Sequence, residues 1–400
     1  MDKRIDHEPT RYLELAAPSH QRSEVVARRE AAIYVHIPFC THICTYCDFD
    51  TFARREGWIP TYVEAAVEQI TRSTAIRATS LYVGGGTPSL LSVEQAGCLL
   101  EACRTHFLMD HAAEATMEAN PWRLGEDLLR GLRDVGFNRL SLGVQSCDPR
   151  LLRLLGRRHG PDDAAAAVLA ARAAGFANIS VDLLYGVPTQ DLESWALTLE
   201  RVVRWGVDHI SCYALSLEPG TPLERAVNRG RVPAPSDDTA AEMYQVARQL
   251  LGAAGYRRYE ISNWALPGKE SCHNITYWKN RPYLGIGAGA AGYWEGRRYK
   301  IARSIERYVE GVRAGRLPLQ EDEPADDHRA MSDTLVLGLR LEEGVRIDEF
   351  MSRHGTRPEA VFGEALRWAE DMGLLERTAD CLRLTERGIL LSNELFSRLL

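Results

Sequence analysis

The chain has 400 residues, a formal net charge of −7, and 45% hydrophobic and 26% charged residues, which is ordinary globular usage with acids and bases interspersed. That balance excludes a polybasic nucleic-acid footprint, and the length allows one large catalytic-type domain with a smaller companion. No apolar run approaches the roughly 18 residues that span a bilayer and the N-terminus lacks a continuous apolar signal core, so a cytoplasmic protein without a transmembrane segment is expected.

Residues 1–30 carry Pro9, Pro18 and scattered charges without periodicity and read as a flexible N-terminal extension. From Ile33 the pattern becomes regular. Short β-branched runs alternate with amphipathic stretches: strand Ile33–Ile37, helix from Pro60, strand Leu81–Val83, helix from Ser92, strand Ala115–Glu118, helix Gly125–Val135, strand Leu140–Val144, helix Pro161–Ala174, strand Ile179–Leu184, helix Leu192–Trp205 and strand Ile210–Leu217. Ser92, three residues before Gln95, and Asp191 are placed as N-caps. Strands and helices at this spacing predict an α/β fold with a parallel sheet, an α/β barrel or an open doubly wound sheet, whose ligand site lies at the carboxyl ends of the strands. Near Gly220 several prolines break the rhythm before a helix at Thr239–Ala253, and LPLQEDEPADD over 317–327 reads as a linker. Beyond it come helices Met331–Leu339, Ile347–Arg353 and Pro358–Met372, a hairpin Leu374–Glu376 with Leu382–Leu384, and a last helix capped by Thr385, together resembling a small winged-helix-like domain.

Nine cysteines is an odd number for a disulfide framework, and three of them fall within eight residues at the mouth of the first strand, in IYVHIPFCTHICTYCDF. Cys40, Cys44 and Cys47 offer three soft thiolates, one fewer than a 4Fe-4S cluster ordinarily takes, which leaves one iron open to a small molecule. A structural zinc site completed by His36 or His42 is the alternative, against which stands the preference of closed zinc sites for paired Cys-x2-4-Cys spacing. Gly84, Gly85 and Gly86 end the second strand in LYVGGGTPS, where glycine lets backbone groups approach a ligand; no Lys-Ser/Thr follows, so this is not a nucleotide P-loop. Gly287-Ala-Gly289-Ala-Ala-Gly292 fits G-x-G-x-x-G without a βαβ context and reads as a tight turn.

HIPFCTHICTYCDF resembles the signature of the radical S-adenosylmethionine (SAM) family that includes oxygen-independent coproporphyrinogen III oxidases (HemN-like) and HemW-like haem chaperones. The resemblance implies a partial parallel (β/α)6 barrel within a radical SAM domain over 31–316 and a HemN-type C-terminal domain over 328–400. It also implies a 4Fe-4S cluster on Cys40, Cys44 and Cys47, whose open iron takes SAM and whose electron can cleave it to a 5′-deoxyadenosyl radical. SAM contacts carried over by the resemblance are Gly84, Gly85, Gly86 and Thr87, with Glu118 in MEANP, Gln145 in SLGVQS, Arg157 in LGRRH and Asp182 in SVDLLYG, while Tyr34 and Tyr46 border the cluster.

The oxidases carry a further cysteine two residues after the third; here Asp48-Phe49-Asp50 follows Cys47. That departure, with SLEPGTPL, YEISNWA, HNITYW and LRLTERGILLSNELF, resembles the HemW-like branch from Ile33 to Leu400. The branch implies haem as cargo, haem-accepting proteins as partners and a flavodoxin- or ferredoxin-type electron donor, and it admits peripheral membrane association and a homodimer. His273 of HNITYW, beside Cys272, is the candidate axial haem ligand. Ala291 stands where the family often has histidine. A HemN-like class C methyltransferase acting on a secondary metabolite is the alternative function; porphyrinogen decarboxylation is disfavoured by the missing fourth cysteine. No catalytic side chain is singled out.

Overall fold

The computed structural model describes residues 11–14, 29–122 and 124–400. Six strands, β1 (Glu30–Ile37), β2 (Arg77–Gly85), β3 (Glu114–Ala119), β4 (Arg139–Gln145), β5 (Ile179–Tyr185) and β6 (His209–Ala214), lie side by side in chain order, each parallel to the next. Between them the chain returns through α1 (Ile59–Arg72), α2 (Val93–His106), α3 (Glu126–Val135), α4 (Pro149–Leu154), α5 (Pro161–Ala173) and α6 (Leu192–Arg204). Ser92 closes a full capping box with Gln95, and the Asp191 carboxylate accepts from the Ser194 N–H at 2.8 Å, so two of these helices begin where the polar side chains dictate.

Alternate strand residues have opposite fates. Val35, Ile37, Leu81, Val83, Met117, Leu140, Leu142, Val181 and Ile210 are buried in one continuous apolar core with the helices. The intervening positions are polar and pair across the other face: Tyr82 with Glu118, Ser141 with Asp182, Ser180 with His209. Parallel strands are ordinarily apolar on both faces, so this polar inner face marks the wall of a site.

A seventh parallel strand, β7 (Tyr283–Ile286), pairs with β1. Beyond β7 the sheet continues antiparallel through Ala291–Trp294, Arg297–Ile301, Arg316–Pro324 and finally Arg11–Glu14. On the other side Asn263–Ala265 and Arg257–Glu260 extend β6. The two ends of this 13-stranded sheet do not pair with each other among the described residues, so the barrel is open.

Two expectations change here. The stretch 317–327 is not a linker: Arg316–Pro324 is a strand paired along Arg297–Ile301, where Arg297 grips the Asp322 carboxylate at 2.6 Å. The N-terminal extension contributes an edge strand at Arg11–Glu14; its residues 1–10 and 15–28 lie outside the described residues.

The C-terminal part has helices Asp327–Gly338, Ile347–His354 and Pro358–Asp371, then the expected hairpin, Leu375–Arg377 with Cys381–Leu384, joined by Val345–Arg346 into a three-stranded sheet. Thr385 caps Glu386–Leu390, and Ser392–Leu399 ends the chain. No helix among the described residues is long and apolar enough to cross a membrane.

Candidate functional site at the carboxyl ends of the strands

The cysteine loop leaves β1 through Phe39–Cys40, which pairs with Phe52–Ala53. Its middle is pinned from below. The Thr45 N–H donates to the Leu155 carbonyl at 3.2 Å, the Thr45 hydroxyl to the Leu154 carbonyl at 2.7 Å, and the Leu223 N–H to the Thr45 carbonyl at 2.8 Å. Tyr46 packs on the small apolar cluster of Leu151, Leu155, Leu184 and Val187. A loop of mixed polar residues is thereby held rigid by the C-terminal end of α4.

Cys40, Cys44 and Cys47 line one cavity of about 370 Å³, together with Tyr46, Gly85, Gly86, Thr87, Glu118, Gln145, Arg157 and Asp182. Residues from four successive strands, expected singly from the sequence, therefore converge. Tyr34 and Gly84 do not line it. The Tyr34 hydroxyl lies 2.8 Å from His36 Nδ1 and its ring borders a separate cleft, while Gly84 stands behind Glu118, where an added Cβ would come within 3.0 Å of the carboxyl group. Tyr82, Ser141 and Tyr213 line the cavity and were missed by motif reading; each is a polar residue at an inward position of an otherwise apolar strand, which is the signal that finds them.

The backbone is shaped for close approach. Gly86 has no room for a side chain, since a Cβ would sit 2.6 Å from the Phe39 carbonyl and 3.0 Å from the Cys40 sulfur. Gln145 adopts φ +67, a left-handed conformation unusual for a side chain of its size, at a register shift between β4 and β5 that turns the strand end toward the cavity.

Two acids and one base set the electrostatics. Glu118 accepts from the Tyr82 hydroxyl at 2.7 Å and the Gly85 N–H at 3.0 Å, yet burial dominates and pushes its carboxyl up to about 7. Burial likewise raises Asp182, which accepts from Ser141 at 3.2 Å. Arg157 donates to the Gly143 carbonyl and reaches the Cys44 sulfur at 3.5 Å, while its buried Nε finds no partner among the described residues. Burial pushes the Cys40 thiol up and the Cys47 thiol up to about 11, so only a positive ligand brings these sulfurs to the thiolate form near neutral pH.

A zinc site finds no fourth ligand among the described residues. His36 has Nδ1 on Tyr34 and Nε2 on the Asp50 carbonyl, His42 has Nε2 on the Gly156 carbonyl at 2.7 Å, and no three His, Cys, Asp or Glu side chains among the described residues gather as for a single ion. His273 lies outside the cavity. It is 1% exposed, with Nδ1 2.9 Å from the Ser80 hydroxyl and Nε2 2.8 Å from the Tyr277 hydroxyl, and burial lowers its pKa to about 3. Glu114 fixes the segment by accepting from the backbone N–H groups of Cys272 and His273, both at 3.0 Å. Both ring nitrogens are thus engaged.

An open parallel barrel with three cysteines on the loop after its first strand, and glycines, carboxylates and an arginine at the following strand ends, defines a radical SAM protein. The sequence matches the Radical SAM superfamily over residues 34–202 and the HemN C-terminal domain over 326–391. It is 35% identical to the heme chaperone HemW of Lactococcus lactis over 92% of this chain and 96% of that one, and 37% identical to the HemW of Mycobacterium tuberculosis over 92% and 94%. The Escherichia coli HemW is 35% identical over 91% and 96%. The chain belongs to the HemW family. Among solved structures, coproporphyrinogen III oxidase (HemN) from E. coli superposes with a TM-score of 0.81 at 24% identity, over 93% of this chain and 90% of that one, and so shares the fold. Membership of the radical SAM superfamily implies a 4Fe-4S cluster and SAM, and the residues fit both: three soft donors with one too few for a closed cluster, and an arginine nitrogen left unpaired at the same cavity.

Proposed function

We propose that this protein is a cytoplasmic haem chaperone that binds haem and passes it to haem-dependent proteins. The observation that carries the reading is likeness to proteins named heme chaperone HemW at 35–37% identity over more than nine-tenths of both chains. Phe49 supports it, because the position where the oxidases place a further cysteine holds an exposed phenylalanine at the cavity mouth.

In this reading Cys40, Cys44 and Cys47 hold the cluster. Arg157 pairs with the SAM carboxylate, Glu118 and the backbone at Gly85 and Gly86 receive its amino group, Asp182 takes hydroxyls of the ribose, and Thr87, Gln145 and Tyr46 complete the wall. When bound, the cluster supplies an electron to SAM. A flavodoxin- or ferredoxin-type protein is the proposed electron donor, and a homodimer and peripheral membrane association belong to the same proposal.

The test is a titration of ferric haem into the anaerobically reconstituted protein, followed by transfer to an apo-haem protein. Tight binding and transfer support the reading, and absence of either overturns it. Formation of 5′-deoxyadenosine together with S-adenosylhomocysteine on a substrate would replace it with methyl transfer.

A further inference from the structure

Arg139 opens β4 and belongs to none of the motifs described above. It is 2% exposed and shares the inner face of the strand with Ser141. The register sets Arg139 beside Thr116 and Ser141 beside Glu118, and Ser141 donates to Asp182. At a rise of about 3.3 Å per residue, the root of the arginine lies one layer, on the order of 7 Å, beneath the two carboxylates of the cavity.

This buried cation is poorly paired. The Glu114 carboxylate, at 4.0 Å, is its one ion pair among the described residues, beyond hydrogen-bond distance, and its Nε finds no partner there. Both Glu114 oxygens are already taken, one by the Ser271 hydroxyl and the His273 N–H, the other by the Cys272 N–H. The buried Thr116 hydroxyl beside it also has no partner among the described residues. An arginine kept only to hold the fold together is ordinarily neutralised by a close, bidentate carboxylate. Here the charge keeps its field, and an interior with little water screens that field weakly.

The field reaches the cavity. Glu118 is faced by the Tyr82 hydroxyl and the Gly85 N–H of β2, which donate to it, by Asp182 of β5, which opposes its ionisation, by the phenols Tyr34 and Tyr277, and by Arg139. Burial is the largest influence on Glu118 and favours the neutral acid; Arg139 acts against it. On Asp182 the arginine works in the same direction, together with Arg157. The histidines around Arg139 add no charge near neutral pH, since burial first and Arg139 second lower His209 far below its usual range and His273 to about 3.

Resting on the assignment of SAM to the cavity proposed above, we propose that Arg139 is a positioning residue: from beneath the cavity it keeps Glu118 charged for the ammonium group of SAM, without touching the ligand.

The experiment follows the carboxyl C=O band of Glu118, assigned by its loss in Glu118→Gln, in infrared spectra of the full-length, cluster-reconstituted protein across pH 5.5–9. SAM affinity is measured on the same samples, for the unaltered chain and for Arg139→Met, Arg139→Gln and Arg139→Lys, with cluster absorbance as the control for folding. Loss of a unit charge about 7 Å away should move the midpoint up from near pH 7 by about one pH unit or more in R139M and R139Q. SAM affinity relative to the unaltered protein should then fall about fivefold at pH 7 and change little at pH 9. R139K, which keeps the charge, should stay close to the unaltered chain. A merely loosened interior would admit water and move the midpoint down, so the direction separates charge from packing. A midpoint unmoved or lowered in R139Q, or an R139K that behaves as R139Q does, overturns the inference, and R139Q decides it should R139M not fold. If the unaltered protein binds no SAM, the assignment of SAM to the cavity fails; SAM bound with the midpoint unmoved is the failure of Arg139 alone.

Discussion

One guanidinium nitrogen of Arg157 stands 3.5 Å from the Cys44 sulfur, and the same side chain donates to the Gly143 carbonyl. The arginine therefore bridges the loop that carries the thiols to the end of β4. Its charge favours thiolate on one side and a carboxylate on the other. Replacing it with methionine, of similar length, removes a charged hydrogen bond worth roughly 1.5–3 kcal/mol. SAM affinity in R157M is expected to fall about tenfold or more, and the cluster's reduction potential to become more negative because a donor to sulfur is lost. Calorimetric SAM titration and a potentiometric EPR titration measure the two effects separately; a variant unchanged in both would remove Arg157 from the site.

Glu118 carries the clearest pH signature. Burial raises its folded pKa to about 7, above the value of about 4.3 for an unperturbed glutamate, so between these pH values the folded state binds the extra proton. Stability from this group is complete below about pH 4.3 and is lost as pH rises through 7. The SAM-free protein should accordingly gain thermal stability from Glu118→Gln at pH 8 and little at pH 4.5. SAM binding runs the other way, because the ionised carboxylate attracts the ligand's ammonium group: affinity should climb with a midpoint near pH 7 in the unaltered protein and stay flat in E118Q. Tm measured across pH 4.5–8.5 and Kd across pH 5.5–8.5 decide it.

What the sequence disclosed followed the physics of each segment. Strands β1 to β6 are flanked by helices, so their apolar runs and the intervening amphipathic stretches stand out, and the predicted bounds fall within a few residues of the observed ones. Between Gly220 and Arg316 the strands are three to five residues long and their burial ranges from the fully buried Asn263–Ala265 to the mostly half-buried Arg297–Ile301, so no period develops. Arg316–Pro324 was hidden for a different reason. Its acids resemble a solvated linker until the preceding strand lies alongside and brings Arg297 to Asp322. In the site, the motif residues were legible, but Tyr82, Ser141 and Tyr213 belong to no motif and emerge only once the alternation of the strands assigns them to the inner face.

Cys47 follows from its surroundings. Burial holds its thiol at about 11 without a metal. Cys47→Ser should leave the fold intact and lose most of the cluster, because the alkoxide of serine is harder to form than the thiolate and a harder donor for iron. Iron and sulfide content per chain, with the visible absorbance, measures this; full cluster occupancy in C47S and in the corresponding variants of Cys40 and Cys44 would dismiss the three as ligands.

His273 is expected to govern stability. Removing its ring in His273→Ala leaves the hydroxyls of Ser80 and Tyr277 without a partner in the interior, at about 1–3 kcal/mol for each group, and opens a void beside Tyr82. The pH trend is also fixed in sign. A folded pKa near 3, below the unfolded value of about 6.5, means the imidazole's contribution is present above pH 6.5 and fades as pH falls toward 3. Denaturant unfolding should show H273A less stable than the unaltered chain by several kcal/mol at pH 7.5, with the gap narrowing toward pH 4.5.

Arg11–Glu14 completes the sheet by pairing with Leu319 through Arg316, so its removal uncovers a row of backbone N–H and C=O groups. Unpaired edges recruit other strands, and the side chains of the newly exposed edge are mixed: Leu317 and Leu319 are buried, while the distal half, Gln320–Glu323, is acidic. The charged half disfavours pairing with a second copy and the apolar half favours it. The register places Arg11–Glu14 against Leu319, Pro318, Leu317 and Arg316 and against none of the acids, so it covers the half of the edge that holds the apolar residues. A chain beginning at residue 29 is therefore expected to keep its cluster site, since the cysteine cavity draws nothing from this edge, but to self-associate with rising concentration and to show a lower Tm. Substituting Leu317 and Leu319 by lysine in the shortened chain should abolish the association if the fold tolerates it; Leu319→Lys alone, at the more exposed of the two sites, is the milder variant. Sedimentation velocity between low and high micromolar concentration follows the association, and a shortened chain that stays monomeric with an unchanged Tm would show that this strand protects nothing.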